Sequence, residues 1–590
     1  MQSIVTIIYS GETGQHDLAF GRIANFLGID SVFLSIDEYI AQISSLKNSE
    51  KPGNILALGC NTLASIYEDT DNSERTITTL KNSAAFLFVY GISPGNADAS
   101  ALINITSGTV KGIVSYTDAE GKYEVSSDNM DITKQFSGLS FGRVNKETDF
   151  GLEVSDSVDG ITKLINIDGK SLFVQINDGS CPIFLHATNQ ILDIDQPAKG
   201  VVDTDSYFSR LIPPMMFLKH VFKDRCWHNE SEHASLTIDD PLLKKTYGFV
   251  KYDSLLDQMD HHNFYTNIAF IPWNYQRTDE NIASMFKARD DRFAIGVHGC
   301  EHTGCEFGTT NHREIDRIAK LSLRRMKSHE ERYGIPFDEV MTFPQGVFST
   351  ESMMVLKSNN YLAAINSGFI PTGQEVDIKI SDILEPAIMN YYAFPLYYRR
   401  YPGEIASFAF DLFLGKPALI VTHHHDYKNM ETITSQVDML NELSDKLKWT
   451  RLREIIKSSY LIKHLDEDEF QVRLYSPCVN VHNSSECTAI YHIFKKESPE
   501  IKITKVNING RETPYELNDN DLCIRVEIHP KSSINIEISY AEFYSDDGTT
   551  PGALKKTKVI ARRIASEIRD NYVDKHPILA AIYKKLRKPT

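Results

Sequence analysis

Along most of the chain, short apolar runs alternate with longer amphipathic stretches, and the rhythm changes twice. In the first part, apolar runs at 3–9, 55–58, 84–89 and 172–176 are separated by helical and polar segments, which predicts an open α/β domain over residues 1–204. From 205 to 465, runs at 266–272, 293–297, 340–343, 362–366 and 418–423 are separated by stretches of helical period such as 313–333 and 435–449. That alternation predicts parallel β/α units. Over 466–543 the runs become short and closely spaced (470–475, 488–494, 501–508, 522–528, 534–540) and are broken by Asn-Gly and Asp-Asn turns, so a small β-sandwich is expected. The segment 544–590 reads as a helix. Ile560, Ile564, Ile568 and Tyr572 recur every fourth residue and place apolar side chains on one face.

The chemistry-bearing residues gather where the apolar runs of the second region end. Ser235-Leu236-Thr237-Ile238-Asp239-Asp240-Pro241 is followed by His298-Gly299-Cys300-Glu301-His302, then Phe343-Pro344-Gln345-Gly346, then Val421-Thr422-His423-His424-His425-Asp426. In a parallel barrel, the carboxyl ends of the strands bring such distant residues together. Asp240, His298 and His302 offer one hard oxygen and two imidazole nitrogens. That set suits zinc, with cobalt, nickel or manganese as alternatives, and leaves a position open for water. Asp239 and His423 remain for proton transfer.

These motifs, in this order, resemble the polysaccharide deacetylase family, carbohydrate esterase family 4. There a T-F-D-D segment supplies a base and then a metal ligand, an H-x-x-x-H segment supplies two more ligands, a Pro-Gly loop shapes the site, and a late strand ends in the acid histidine. The resemblance covers roughly residues 205–465. It implies an incomplete (β/α) barrel of about seven strands, Asp239 as base, Asp240, His298 and His302 as ligands, Pro344 and Gly346 in the loop, and His423 as acid. It also implies an oxyanion donor in the backbone N–H near Gln345. A more distant resemblance is to the N-deacetylase part of heparan sulfate N-deacetylase/N-sulfotransferases, through Val421-Thr422-His423 with Tyr427, through Trp449-Thr450 with Leu452-Arg453, and through an α/β domain ahead of the deacetylase.

One position departs from the family. Its third motif usually opens with an arginine that holds the catalytic aspartate, and Thr342 stands there instead. Tyr397-Tyr398-Arg399-Arg400 lies between two barrel strands, so Arg399 or Arg400 is a candidate to reach Asp239 from another direction; the competing reading pairs both arginines with surface acids. His425-Asp426 competes with His423 for the acid role. Trp273 and Asn274 could wall a sugar subsite or simply pack the barrel rim. Cys300 and Cys305 interleave with the two histidines, but a structural zinc from four ligands within eight residues would strain the loop and leave the aspartate pair unexplained. Cys60 follows a run like a nucleophile at an elbow, yet no histidine and acid spacing supports a triad, and a buried small residue is the simpler reading.

With 62 basic and 79 acidic residues, the net charge of −17 argues against a general polyanion-binding surface and against nucleic acid as a partner. Eight scattered cysteines and a first segment without the pattern of a signal peptide suggest a cytoplasmic protein. After Gly548 the charge reverses to eleven basic residues against three acidic. This tail either lies against an anionic membrane surface or a biosynthetic complex, or packs on the acidic body. The expectation is a metal-dependent N-deacetylase acting on an N-acetylated sugar or glycan in surface-polysaccharide synthesis. A catalytically idle carbohydrate-binding barrel and an O-deacetylase are the alternatives.

Overall fold

The computed structural model describes residues 3–45, 53–69, 71–116, 121–155, 160–177, 179–199, 204–544 and 553–579. Two compact units emerge. The first comprises Met1–Ala198 and Val202–His228 with Lys379–Ser381; the second takes in Asn229–Ile378 and Asp382–Thr590.

The first unit is built on an eleven-stranded sheet. Asp30–Ser35, Ile4–Tyr9, Asn54–Gly59, Ala84–Tyr90 and Pro182–His186 run parallel in that spatial order, and Lys170–Asn177 and Ile161–Ile167 continue it antiparallel. The parallel half is the open α/β arrangement that the early apolar runs imply. Cys60 opens the helix Cys60–Glu68 and is fully buried, and burial pushes its thiol far up, so it is a packed residue without thiolate character.

In the second unit, seven parallel strands form the barrel: β1 (Glu232–Asp239), β2 (Thr266–Phe270), β3 (Phe293–His298), β4 (Phe337–Thr342), β5 (Ala363–Asn366), β6 (Leu396–Tyr398) and β7 (Ala418–His423). Their order is β6-β5-β4-β3-β2-β1-β7. The runs read as continuously apolar because a parallel strand covered by helices is buried on both faces; all of β2 and β3 is buried. Arg400 closes the ring. Just past β6, its amide donates to the Leu419 carbonyl (2.8 Å) and its carbonyl accepts from the Val421 amide (2.8 Å), a parallel bridge to β7. Leu447–Trp449 adds an eighth strand beside the start of β1. The helix α1 (His312–Tyr333) begins at Asn311, whose side chain caps Glu314, and ends at Gly334 in the left-handed conformation.

A two-layered sandwich follows, with one sheet of five strands and one of four. Its first strand, Tyr460–Asp466, starts ahead of the residue 466 boundary expected from turn signals, and Cys478–His482 is a strand that the alternation did not mark. Alternate side chains, among them Val472, Leu474, Tyr491, Ile493, Ile524, Ile536 and Ile538, fill the space between the sheets. A buried ionic cluster ties this sandwich to the barrel. Glu497 accepts from Lys357 (2.5 Å), Lys495 (2.7 Å) and the Tyr540 hydroxyl (2.7 Å).

The last described element is α2 (Ala553–Ile568), extended by one wider π-type turn, Arg569–Val573. Val559, Arg563 and Asp570 are its buried residues. Of the basic tail positions, Lys584, Lys585, Arg587 and Lys588 lie outside the described residues, as do the side chains of Lys555 and Lys556.

Candidate active site

Three side chains with metal-ligating chemistry converge at the carboxyl ends of β1 and β3. Asp240 follows the last residue of β1, His298 ends β3, and His302 stands four residues further on; their ligand atoms all lie within 4.8 Å of one another. Nε2 of His298 is 3.3 Å and Nε2 of His302 is 3.0 Å from Asp240 Oδ1. Neither contact has hydrogen-bond geometry, so Oδ1 is buried without a donor. A buried carboxylate oxygen faced by two imidazole nitrogens and bonded to neither is what a shared cation would satisfy, and the donor set fits zinc or a similar divalent ion. The second nitrogen of His298 is already committed: Nδ1 lies 3.1 Å from the Thr342 carbonyl. This bond fixes the tautomer and leaves the Nε2 lone pair for a ligand.

The backbone around these groups is strained. Asp240 (φ 79°), His302 (φ 53°) and Gln345 (φ 60°) all sit in the left-handed region without being glycine. What holds the His298–His302 loop in shape is Glu306, which sequence reasoning missed. Its buried carboxylate accepts from the amides of Cys300 (2.8 Å), His302 (3.1 Å) and Glu301 (3.2 Å). Cys300 itself is buried, its thiol pushed up to about 12 chiefly by burial, while Cys305 is exposed; neither joins the ligand cluster.

Asp239 and His423 are register partners at the ends of adjacent strands β1 and β7. Arg399, one residue past β6, donates from both terminal nitrogens to the two oxygens of Asp239, at 2.7 Å each. Burial alone would raise the Asp239 carboxyl. Arg399, with His298 and His423 nearby, outweighs it and holds the group below the ordinary carboxylate value; His302 and His298 likewise hold Asp240 well below it against burial. Burial lowers His423 from the ordinary histidine value, against the pull of Asp239 and Asp240. The ring of His423 stacks on Tyr401 (6.1 Å between centroids) and on His425 (5.5 Å).

The other candidates fall into place around this centre. Arg400 does not reach Asp239: it forms its own fork with Asp411, at 2.6 and 2.9 Å. His425 is mostly exposed and lies beside Asp426, whose carboxylate accepts from the His423 amide (2.7 Å). Pro344 is buried, Gln345 is exposed, and the Gly346 carbonyl accepts from Asn366 (3.0 Å). Trp273 has one face taken by the Arg277 guanidinium, 5.2 Å from its centroid, and buried Asn274 accepts from the same Arg277 (3.2 Å). His424, the middle of the triple histidine, is buried with Nε2 3.4 Å from Asp570 of the C-terminal segment.

No family model matches this chain, and no curated protein matches it significantly. Among solved structures the chain is similar to Agd3, described as a novel carbohydrate deacetylase, with 9% identity over 92% of this chain and 99% of that one and a TM-score of 0.49. It is similar to a family 4 carbohydrate esterase from Streptomyces lividans in complex with acetate, at 13% identity over 38% of this chain and 94% of that one, TM-score 0.23. A third is a family 4 pseudoenzyme from Bacillus anthracis, at 15% identity over 39% and 66% of the respective chains, TM-score 0.23. At these identities the likeness is one of fold.

Proposed function

We propose that this chain is a metal-dependent hydrolase that removes N-acetyl groups from amino sugars of a glycan or glycan precursor. One observation carries the reading: a buried Asp239, fixed in orientation by Arg399, stands next to a cluster of one carboxylate and two imidazoles and in register with His423. Asp240, His298 and His302 would hold a divalent ion, which when bound would supply Lewis acidity toward an acyl carbonyl and a water.

The protein's own groups do the rest. Asp239, kept ionised by Arg399, accepts a proton from the water that attacks the acyl carbon. His423 donates a proton to the nitrogen as the C–N bond breaks, because an amine leaves poorly unless protonated; its lowered pKa makes the imidazolium a readier donor. Acetate and a free amine result. The strained turn at Gln345 and Gly346 lies on the neighbouring strand end, and the backbone N–H near Gln345 is the candidate oxyanion donor. Thr342 cannot orient Asp239, and Arg399 supplies the fork in its place, which favours activity over an idle binding barrel. Cysteines that form no disulfide with one another suit a cytoplasmic site of surface-polysaccharide synthesis.

The test measures metal content and acetate release from a panel of N-acetylated and O-acetylated sugars. The reading expects bound divalent metal, N-deacetylation, and loss of turnover with retained metal in Asp239→Asn. A metal-free protein with no acetate release would leave the binding-module reading. Release from O-acetyl substrates alone would make it an esterase.

A further inference from the structure

The C-terminal helix docks on the barrel with its polar face and turns its apolar stripe outward. Amphipathic helices ordinarily do the reverse. Ile564 and Ile568 are each 50% exposed and Tyr572 66%, with Ile560 beside them, whereas Arg563 is 3% and Asp570 1% exposed. The docked face is held by polar bonds. Glu567 accepts a fork from Arg277 at 2.5 and 2.8 Å, Asp570 accepts from the Tyr247 hydroxyl at 2.6 Å, and Asn571 accepts from the Gly248 amide at 2.9 Å. Asp574 lies 3.9 Å from both His424 and Arg569.

All three acidic residues of the segment are thus spent facing inward. On the outward side, among the described residues, the stripe is bordered by exposed Lys558 and Lys575, and by exposed Arg562, whose guanidinium lies beside Gly304. An outward face that is apolar along its centre and only cationic at its edge has the chemistry of an interfacial helix. No described helix is long and apolar enough to cross a membrane.

We infer that this helix is a peripheral anchor that lays Ile560, Ile564, Ile568 and Tyr572 into the surface of an anionic lipid bilayer. Charge selects this occupant. A second copy would bring cationic borders against each other, and a polyanion without hydrocarbon would leave the isoleucines wet. An anionic bilayer satisfies both the stripe and its rim. On a chain of net charge −17, a cationic patch confined to this face also fixes which side meets the bilayer. The helix is fastened to the segments that follow Asp240 and His423, through Tyr247, Gly248 and His424, so anchoring holds the catalytic rim at the lipid surface.

Co-sedimentation of the full chain with phosphatidylglycerol–phosphatidylcholine vesicles tests this, with pure phosphatidylcholine vesicles as control. The wild type is expected to pellet with the anionic vesicles, less so as salt is raised, and weakly with the neutral ones. Ile564→Asp with Ile568→Asp, and separately Lys558→Glu with Lys575→Glu, should each lower binding on the order of tenfold or more, because stripe and rim act together. Melting temperature and turnover of a soluble substrate should stay at wild-type values in both. A wild type that stays in the supernatant at low salt overturns the inference. So does an Ile564→Asp/Ile568→Asp variant that binds undiminished, or a wild-type dimer in sedimentation equilibrium that this variant dissolves.

Discussion

Arg399 and Asp239, 160 residues apart in sequence, meet through two parallel hydrogen bonds of 2.7 Å in the wall of the barrel. Both are almost fully buried. A fork of this kind fixes the plane of a carboxylate as well as its charge, which a point-charged ammonium cannot do. Arg399→Lys should therefore cut turnover by about 10²-fold or more while leaving metal content unchanged, since general-base catalysis contributes roughly 10²–10⁴-fold. Arg400→Lys should act differently. Its guanidinium serves Asp411, so a lower melting temperature with near-normal turnover per folded molecule is expected. Near-normal turnover in Arg399→Lys would remove the orienting role.

Metal retention separates the ligands from their neighbours. Asp240→Ala, His298→Ala and His302→Ala should each strip the ion, measured by elemental analysis of purified protein, whereas Cys300→Ser and His425→Ala should keep it. A chelator should abolish turnover and added zinc restore it. His423→Ala should keep the metal and lose turnover. The opposite outcome for His423 and His425, with activity surviving only in His423→Ala, would move the acid role to His425.

The barrel and the convergence of its motifs were legible because each chemical residue ends an apolar run, and a run ending in Asp239, His298 or His423 places that residue at the carboxyl end of a parallel strand. Arg399 was legible only as one of two candidates. Periodicity does not say which of two adjacent arginines faces the barrel interior; backbone pairing of Arg400 with β7 settles their environments. Glu306 left no signal, since a lone glutamate in a polar loop looks like any solvated acid until its carboxylate is seen collecting amides. The tail left two readings open. Its four-residue repeat marks one apolar face and leaves open whether that face packs on the body or meets a surface; the pairing of Glu567 and Asp570 with Arg277 and Tyr247 turns it away from the barrel.

Three lysines bury their ammonium groups in the second unit, Lys357, Lys416 and Lys495. Burial is the main cause that lowers Lys357 and Lys416 to about 8 each, although Glu497 pulls the first up and Asp411 the second. A lysine whose folded pKa lies below its unfolded one binds fewer protons in the fold than in the unfolded chain over the interval between the two values. Lys357 and Lys416 therefore make stability rise with pH from about 8 toward 10, while the buried thiols of Cys60 and Cys300, protonated in the fold and ionising in the unfolded chain from about 8.5, and the tyrosines near 10 act in the opposite direction. Lys357→Met and Lys416→Met should each lose part of that rise, so that the melting temperature of either variant falls progressively behind the wild type's as pH goes from 8 to 10. Glu497→Gln should cost about 3–5 kcal/mol, because it leaves Lys357 and Lys495 buried without the carboxylate that pairs with both. Profiles of the same slope between pH 8 and 10 in the wild type and in both lysine variants would mean that these ammonium groups do not control stability there.

Glu306 offers the sharpest separation of positioning from ligation. It touches none of the candidate ligand atoms, yet its two oxygens gather the amides that shape the turn from Cys300 to His302, including the strained His302 at φ 53°. A neutral glutamine would present one acceptor where the carboxylate presents two and would point an NH₂ group at backbone donors. The loop would then relax toward a less strained φ and carry His302 away from Asp240. Glu306→Gln is expected to weaken metal affinity about 10–100-fold, the usual consequence of losing a group that orients a ligand. It should also lower stability by about 1–3 kcal/mol through unpaired buried amides. Competition with a chromogenic chelator reads the first effect and denaturant titration the second. Glu301→Gln, which removes only the ion pair to Arg325 at 3.3 Å, should leave affinity near the wild-type value. Equal affinity in Glu306→Gln and the wild type would show that the loop is held by the barrel itself, and that the carboxylate only satisfies amides that water could serve as well.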